Sequence, residues 1–264
     1  MKKGILGATL VVASLSTAHA DVTVSTTTAG KVMIMNLGGN GSTAIKGNRM
    51  RSESTVGGRA TSLVIDIDGR RFIDIDDNKK SATITPLDAI ADELGKVGVG
   101  SLSATLRKTG QTKSIAGYSC SVHDVNVSLP FSPTGHSGDG MDLTMVLAGT
   151  VCLSTDVPGL KDYQAFYRAS ADSGFIFGDP RTVKSPTGAA QARAYAELTR
   201  KMAEAGMALE SHVNISATGS GPMAAMMGKL AAGEITTTVT KVETGDVAGD
   251  RFDVPAGYKV KTQK

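Results

Sequence analysis

The chain contains no tryptophan, only two cysteines, and few aromatic residues of any kind, with six Phe and five Tyr in 264 residues. So little aromatic surface leaves no material for the stacking platforms that read single-stranded nucleic acids. Two cysteines cannot build a disulfide-framework scaffold. An excess of one charge is also missing, since 28 Lys and Arg stand against 25 Asp and Glu. A polyanion held by bulk electrostatics is therefore not an expected partner. No apolar run reaches the roughly 20 residues that a membrane-spanning helix needs, so no integral span is expected. The chain is 41% hydrophobic and 20% charged. That balance excludes a disordered chain and supplies enough apolar material for one core.

What is present begins with a leader. Lys2 and Lys3 precede a mostly apolar, uncharged run from Ile5 to Leu15, and Ala18-His19-Ala20 sets small residues where a signal peptidase reads them. Residues 1–20 are expected to be cleaved between Ala20 and Asp21. Residues 21–264 would then form a single mature domain, exported and soluble in the periplasm. No Cys follows the small residues, so lipid attachment is not expected. Lys2 and Lys3 leave with the leader, which lowers the formal charge from +3 to +1.

Export decides how Cys120 and Cys152 are read. In an oxidising compartment, two cysteines in strand-like stretches (118–127 and 141–154) are expected to form a structural bridge between neighbouring strands. The alternatives, a catalytic thiol or a metal ligand, lack any CxxC or nearby His cluster.

The periodicities describe the scaffold. Residues 21–28 and 31–37 are β-rich and separated by Ala29-Gly30, while Gly38-Gly39-Asn40-Gly41 and Gly57-Gly58 read as turns. Leu63 to Asp68 and Arg71 to Asp76 alternate apolar with acidic residues about Gly69-Arg70, the pattern of an antiparallel hairpin with one wet face. Four helices are expected. One is capped by Thr85 with the stripe Leu87, Ile90, Leu94 and Val97, and a second opens at Pro158 with Leu160, Tyr163, Phe166 and Tyr167. The third opens at Ser185-Pro186 with Tyr195, Leu198, Met202, Ala205 and Leu209, broken near Gly206. The fourth opens at Ser220-Gly221-Pro222 with Met223, Met226, Met227 and Leu230. Residues 207–216 and 234–242 read as strands. About ten strands and four helices, without regular alternation, predict an α+β fold with a mainly antiparallel sheet.

Chemical motifs are sparse. Asp74-x-Asp76-x-Asn78 opens like a calcium loop, but Lys79 replaces the required glycine and Thr85 the closing glutamate. The acids fit a solvated hairpin face instead. Gly95-x-x-Gly98-x-Gly100 and Gly135-x-x-Gly138-x-Gly140 lack the strand-then-helix context of a phosphate cradle. His136, Ser137 and Asp139 fall within five residues, but triad members meet through a fold rather than as chain neighbours. His123, His136 and His212 show no HxH or HExxH spacing. No cofactor, metal or catalytic residue is expected, and an enzyme would need His123, His212 and Asp139 to converge in one cleft.

Methionine, 11 in all, is the unusual apolar choice. Its flexible thioether packs an aromatic-poor core and also suits an adaptable apolar cavity. Met33, Met35, Tyr163, Phe166, Tyr167, Met223, Met226 and Met227 are the candidates to line one.

Ile115-Ala116-Gly117-Tyr118-x-Cys120, Cys152-Leu153-Ser154 with Pro158-Gly159-Leu160, and Phe252-x-Val254-Pro255-Ala256-Gly257-Tyr258-Lys259 resemble an exported bacterial family, the domain of unknown function 4412. Lys46-Gly47-Asn48-Arg49-Met50-Arg51 fits the same pattern. The likeness spans most of the mature chain. That family is similar to periplasmic lipoprotein carriers (LolA- and LolB-like). The resemblance implies a strongly curved, half-barrel-like antiparallel sheet around helices with an apolar cleft, and it carries over no catalytic residue. Gly117 and Gly257 suit tight turns, Pro255 an exit from the sheet, and Tyr118 and Tyr258 packed rings with bonded hydroxyls. The expected function is a non-enzymatic periplasmic carrier of an apolar or amphiphilic ligand, a lipid or a lipidated protein. The alternative is an envelope module that docks another protein.

Overall fold

The computed structural model describes residues 21–32, 35–56, 58–88, 103–131, 143–173, 186–219 and 232–263. The alternating apolar and acidic run becomes the hairpin of β4 (Arg59–Asp66) and β5 (Arg71–Asp76). Its turn is set by Asp66, whose carboxylate accepts from Gly69 N at 2.9 Å and from Arg71 Nε at 2.9 Å. Before it come β1 (Val22–Val32), β2 (Met35–Lys46) and β3 (Arg49–Val56), and after it β6 (Ser81–Pro86), β7 (Ser103–Ile115), β8 (Tyr118–Phe131) and β9 (Leu143–Ser154). Two helices follow, α1 (Leu160–Asp172) and α2 (Pro186–Ala205), then β10 (Met207–Gly219), β11 (Gly233–Thr244), a 3-10 turn (Gly249–Phe252) and β12 (Lys259–Thr262).

The twelve strands of the described residues join one sheet in the order β12-β6-β5-β4-β3-β2-β1-β11-β10-β9-β8-β7. This corrects the expected fold class. The sheet dominates the molecule, is not closed, and is mixed because β12 pairs parallel with β6. The described residues hold two α-helices rather than about four. Thr85 and Pro86 finish β6, where Thr85 pairs with Phe72 and Pro86 with Arg71 at the ladder's end, and Leu87 and Asp88 follow directly in helical conformation, as the capping pair leads one to expect. Residues 89–97 and 220–231 lie outside the described residues.

The glycine cluster at 38–41 is a second correction. It lies inside β2, with Gly38 opposite Ala29 and Gly39 opposite Thr28. Ladders on both sides override the local turn signal, as tertiary context commonly overrides propensity.

Two glycines are required where they stand. Ala116 and Gly117 have φ of 50° and 85° between β7 and β8. Positive φ at both positions makes a two-residue hairpin whose twist matches its strands. Gly206 separates α2 from β10 at φ 152°, and a Cβ there would lie 2.6 Å from the Ser154 carbonyl oxygen. Leu209, expected on the helical stripe, is therefore delivered to β10.

The core has three parts. Phe166 of α1 is fully buried among Val22, Ile45, Ile65, Phe72, Met207 and Leu209. Leu198 of α2 packs with Val125, Val127, Leu147, Val151 and Leu153. On the other face of β2–β6, Ala44, Val64, Ile73, Ile75 and Ala82 are covered by Phe252, Val254 and Tyr258. Burying an aromatic ring of this size contributes on the order of 2 kcal/mol or more. The C-terminal segment is thus a strap across the sheet that ends by adding β12. Asp21 ties down its start: the carboxylate accepts from Val247 N at 2.8 Å and from Lys46 Nζ at 2.7 Å.

Candidate functional site

The helix-facing interior is built by α1. Residues 163, 166 and 167 fall on one side of a 3.6-residue repeat, which gathers their rings. Tyr163 and Tyr167 have centroids 4.5 Å apart, and Phe166 meets Tyr167 edge-on at 5.5 Å. Tyr167 Oη lies 3.9 Å from Met50 Sδ on β3. The two tyrosine hydroxyls bond to each other, and Ala208 N contributes to Tyr163. Burial is the first reason that the Tyr163 hydroxyl is held well above its ordinary value, followed by its neighbour Tyr167. Burial raises Tyr167 as well. Both rings therefore stay neutral with a polar handle inside an apolar interior.

α1 and α2 are tied by Gln164 Nε2, which donates to Ala203 O at 2.8 Å. α2 packs on β7, β8, β9 and β10, while α1 packs on β2 and β10. The sheet is curved enough that Cα atoms of β7 and β11, four positions apart in the order, come within 8 Å. The expected candidates Met33, Met223, Met226 and Met227 lie outside the described residues, and Met35 begins β2 opposite Val32.

Cys120 and Cys152 form the expected disulfide, with Cα atoms 5.3 Å apart. In the ladder Cys152 faces Val122, so the bridge runs diagonally to the next residue on the same face of β8. The two described histidines, His123 and His212, do not converge. His123 stands opposite Val151 and His212 opposite Thr150, consecutive residues of β9, so the imidazoles lie on opposite faces. Residues 136, 137 and 139 lie outside the described residues. Asp76 caps its own turn, accepting from Lys79 N at 3.0 Å, which is the hairpin role its sequence setting implied. Among the described residues, no group of three His, Cys, Asp or Glu is placed to hold a metal, and no helix is long and apolar enough to cross a membrane.

A polar groove on the strap side of the sheet was not legible in the sequence. Register places Asn40 and Ser42 of β2, Glu53 and Thr55 of β3, and Ser62 of β4 on the face that also carries Ala44 and Val64. With Asp77 they line an opening of about 310 Å³. The apolar half of this face lies under the strap, and the polar half is the groove. Arg51 sits at the boundary, 8% exposed. It donates from Nη1 to Arg251 O at 2.9 Å and from Nη2 to Ser62 Oγ at 3.2 Å. Its Nε lies 2.8 Å from Glu53 Oε1, an ion pair without hydrogen-bond alignment. Arg251 Nη2 donates to Glu53 Oε2 at 2.9 Å, and Tyr258 Oη to Asp77 Oδ1 at 2.9 Å. The only signal in the sequence was the Ser/Thr-rich alternation of β3 and β4, which reads equally as a wet strand face.

No family model matches the chain, so none supports the domain of unknown function 4412. No curated protein matches it either. Among solved structures it is similar to an uncharacterized conserved protein from Thermus thermophilus, at 9% identity and TM-score 0.38, covering 93% of this chain and 92% of that one. It is similar to PNGF-II at 9% identity and TM-score 0.37, covering 93% of this chain but 31% of that one. A domain from Vibrio parahaemolyticus assigned as an outer membrane lipoprotein-sorting protein matches at 6% identity and TM-score 0.28, over 89% and 90% of the two chains. Likenesses this distant carry no argument about function.

Proposed function

We propose that the protein is an exported, non-enzymatic binding protein whose ligand is apolar or amphiphilic and occupies the space between the helices and the sheet. The observation that supports this is the curved, unclosed sheet that carries α1 and α2, with β7 and β12 at the two ends of the strand order among the described residues. Helix and sheet meet there through side chains such as Phe166, Tyr167 and Leu198. Such a contact opens without breaking a strand ladder, and the exposed walls would be Val, Ile, Leu and Met with the Tyr163–Tyr167 hydroxyl pair as a polar handle. The disulfide supports an oxidising compartment.

The test is native mass spectrometry and lipid extraction of the gently purified mature protein, followed by titration with a fluorescent fatty acid and with phospholipid vesicles. Expected is a co-purifying or saturably bound lipid whose uptake quenches tyrosine fluorescence. Neither co-purification nor saturable binding would overturn the reading.

A second reading is favoured by one feature. Among the described residues β7 is an edge strand of 13 residues with no partner on its outer side, although Arg107, Lys108 and Lys113 guard it. Under that reading cross-linking captures an envelope protein along β7, and no lipid binds.

A further inference from the structure

We propose that the groove on the strap side of the sheet is a second binding site, for a neutral, polyhydroxylated ligand of the saccharide class. Glu53 and Asp77 are the charged groups that line the opening, and Arg51 and Arg251 lie behind Glu53, each paired with it, so the four charges balance without either arginine facing a ligand. A phosphate would meet both carboxylates, and a free cation would meet a Glu53 already paired with two guanidiniums. A neutral ligand meets neither penalty.

The second element is fixed geometry. Both Glu53 oxygens are held, one by Arg51 Nε and the other by Arg251 Nη2. Asp77 is held by Tyr258 Oη and, through Oδ2, by Ser62 Oγ at 3.3 Å. Ser62 in turn accepts from Arg51. Each carboxylate oxygen keeps unused lone-pair capacity, since an ionised carboxylate offers about four acceptor sites. A carboxylate held this way accepts the two hydroxyl protons of a vicinal diol without reorganising. Ordering two acceptors in advance lowers the entropic cost of binding.

The third element is the mixed inventory beside them. Asn40 and Thr55 are at the groove mouth, and Ser42 lies within it. An amide and two hydroxyls both donate and accept, as the hydroxyls of a sugar ring do. About 310 Å³ is at the lower end of small-molecule sites. The site is separate from the helix-facing interior, because the strap face and the α1 face are opposite sides of β2–β4.

The test uses the mature protein with its disulfide intact. Two-dimensional NMR and calorimetry would follow titration with neutral disaccharides and with oligomers of N-acetylglucosamine, with inorganic phosphate and a small alkylammonium salt as comparison ligands. Shifts should cluster at residues 40–42, 53–55 and 60–62. Ala60→Phe, which fills the groove without touching the arginine network, and the double variant Asn40→Ala with Thr55→Ala should each weaken binding about tenfold or more, at an unchanged melting temperature. The proposal is overturned if no neutral saccharide binds, if phosphate or the alkylammonium binds in preference, or if affinity survives Ala60→Phe.

Discussion

Lys113 on β7 reaches Glu210 on β10 and forms an ion pair with it across the two intervening strands. The register puts Lys113 opposite Cys120, and Cys152 opposite Glu210. The disulfide therefore lies beneath this ion pair, on the same face. Four neighbouring strands are thus joined on one face by one covalent and one electrostatic link.

The two links should differ greatly in weight. The bridge closes a loop of 32 residues, which corresponds to roughly 3–4 kcal/mol of loop-closure entropy. Urea denaturation of the Cys120→Ser, Cys152→Ser double variant should show a loss of that order. The ion pair is partly exposed, so Lys113→Met should change stability by less than about 1 kcal/mol. Equal effects would refute this division.

Phe166 is fully buried and anchors α1. Phe166→Ala should cost about 3–5 kcal/mol and loosen the helix from the sheet. Hydrogen exchange of the 160–172 amides would report the loosening. Unchanged protection would show that α1 is held by something other than its aromatic face.

At Gly206 an added Cβ meets backbone, at 2.6 Å from the Ser154 carbonyl oxygen. Gly206→Ala should therefore destabilise by more than about 1 kcal/mol, because φ and space are both unsuitable. Gly245→Ala is the control, since a Cβ added there would find nothing within 4 Å. A melting temperature lowered equally in both variants would remove this explanation.

Alkali should unfold the protein through its tyrosines. Burial raises Tyr163 and Tyr167, and the hydrogen bond to Asp77 is the first cause raising Tyr258. Folded values above the unfolded value near 10 mean that stability is intact below about pH 10. It is lost as pH climbs from there through the folded values. Tyr163→Phe should flatten this alkaline limb, as followed by urea midpoints between about pH 8 and 11. A limb of unchanged steepness would sink the assignment.

Several features were legible locally. The 63–76 hairpin showed because period-two alternation and a Gly-Arg turn agree. The α1 stripe showed because Tyr163, Phe166 and Tyr167 repeat at helical spacing. Cys120 and Cys152 needed only strand-like surroundings and the expectation of export. Gly38 to Gly41 misled, because a glycine run signals a turn only when no strand flanks it, and here β1 and β3 pair with both sides of β2. Thr85-Pro86 signals a helix start, and Leu87 and Asp88 are helical, but its second role as the end of β6 showed only once the partner strand was known.

The sequence by itself determined which residues are apolar, which short segments alternate, and where the chain is free to reverse. Those properties act over a few residues, so they survive without knowledge of the fold. Tertiary structure alone decided that twelve strands make one unclosed sheet, that β12 returns to lie parallel with β6, and that Arg51 joins Glu53, Ser62 and Arg251 across 200 residues of chain. Strand order and side-chain networks depend on which distant segments pair, and pairing energy resides in contacts that no local window contains.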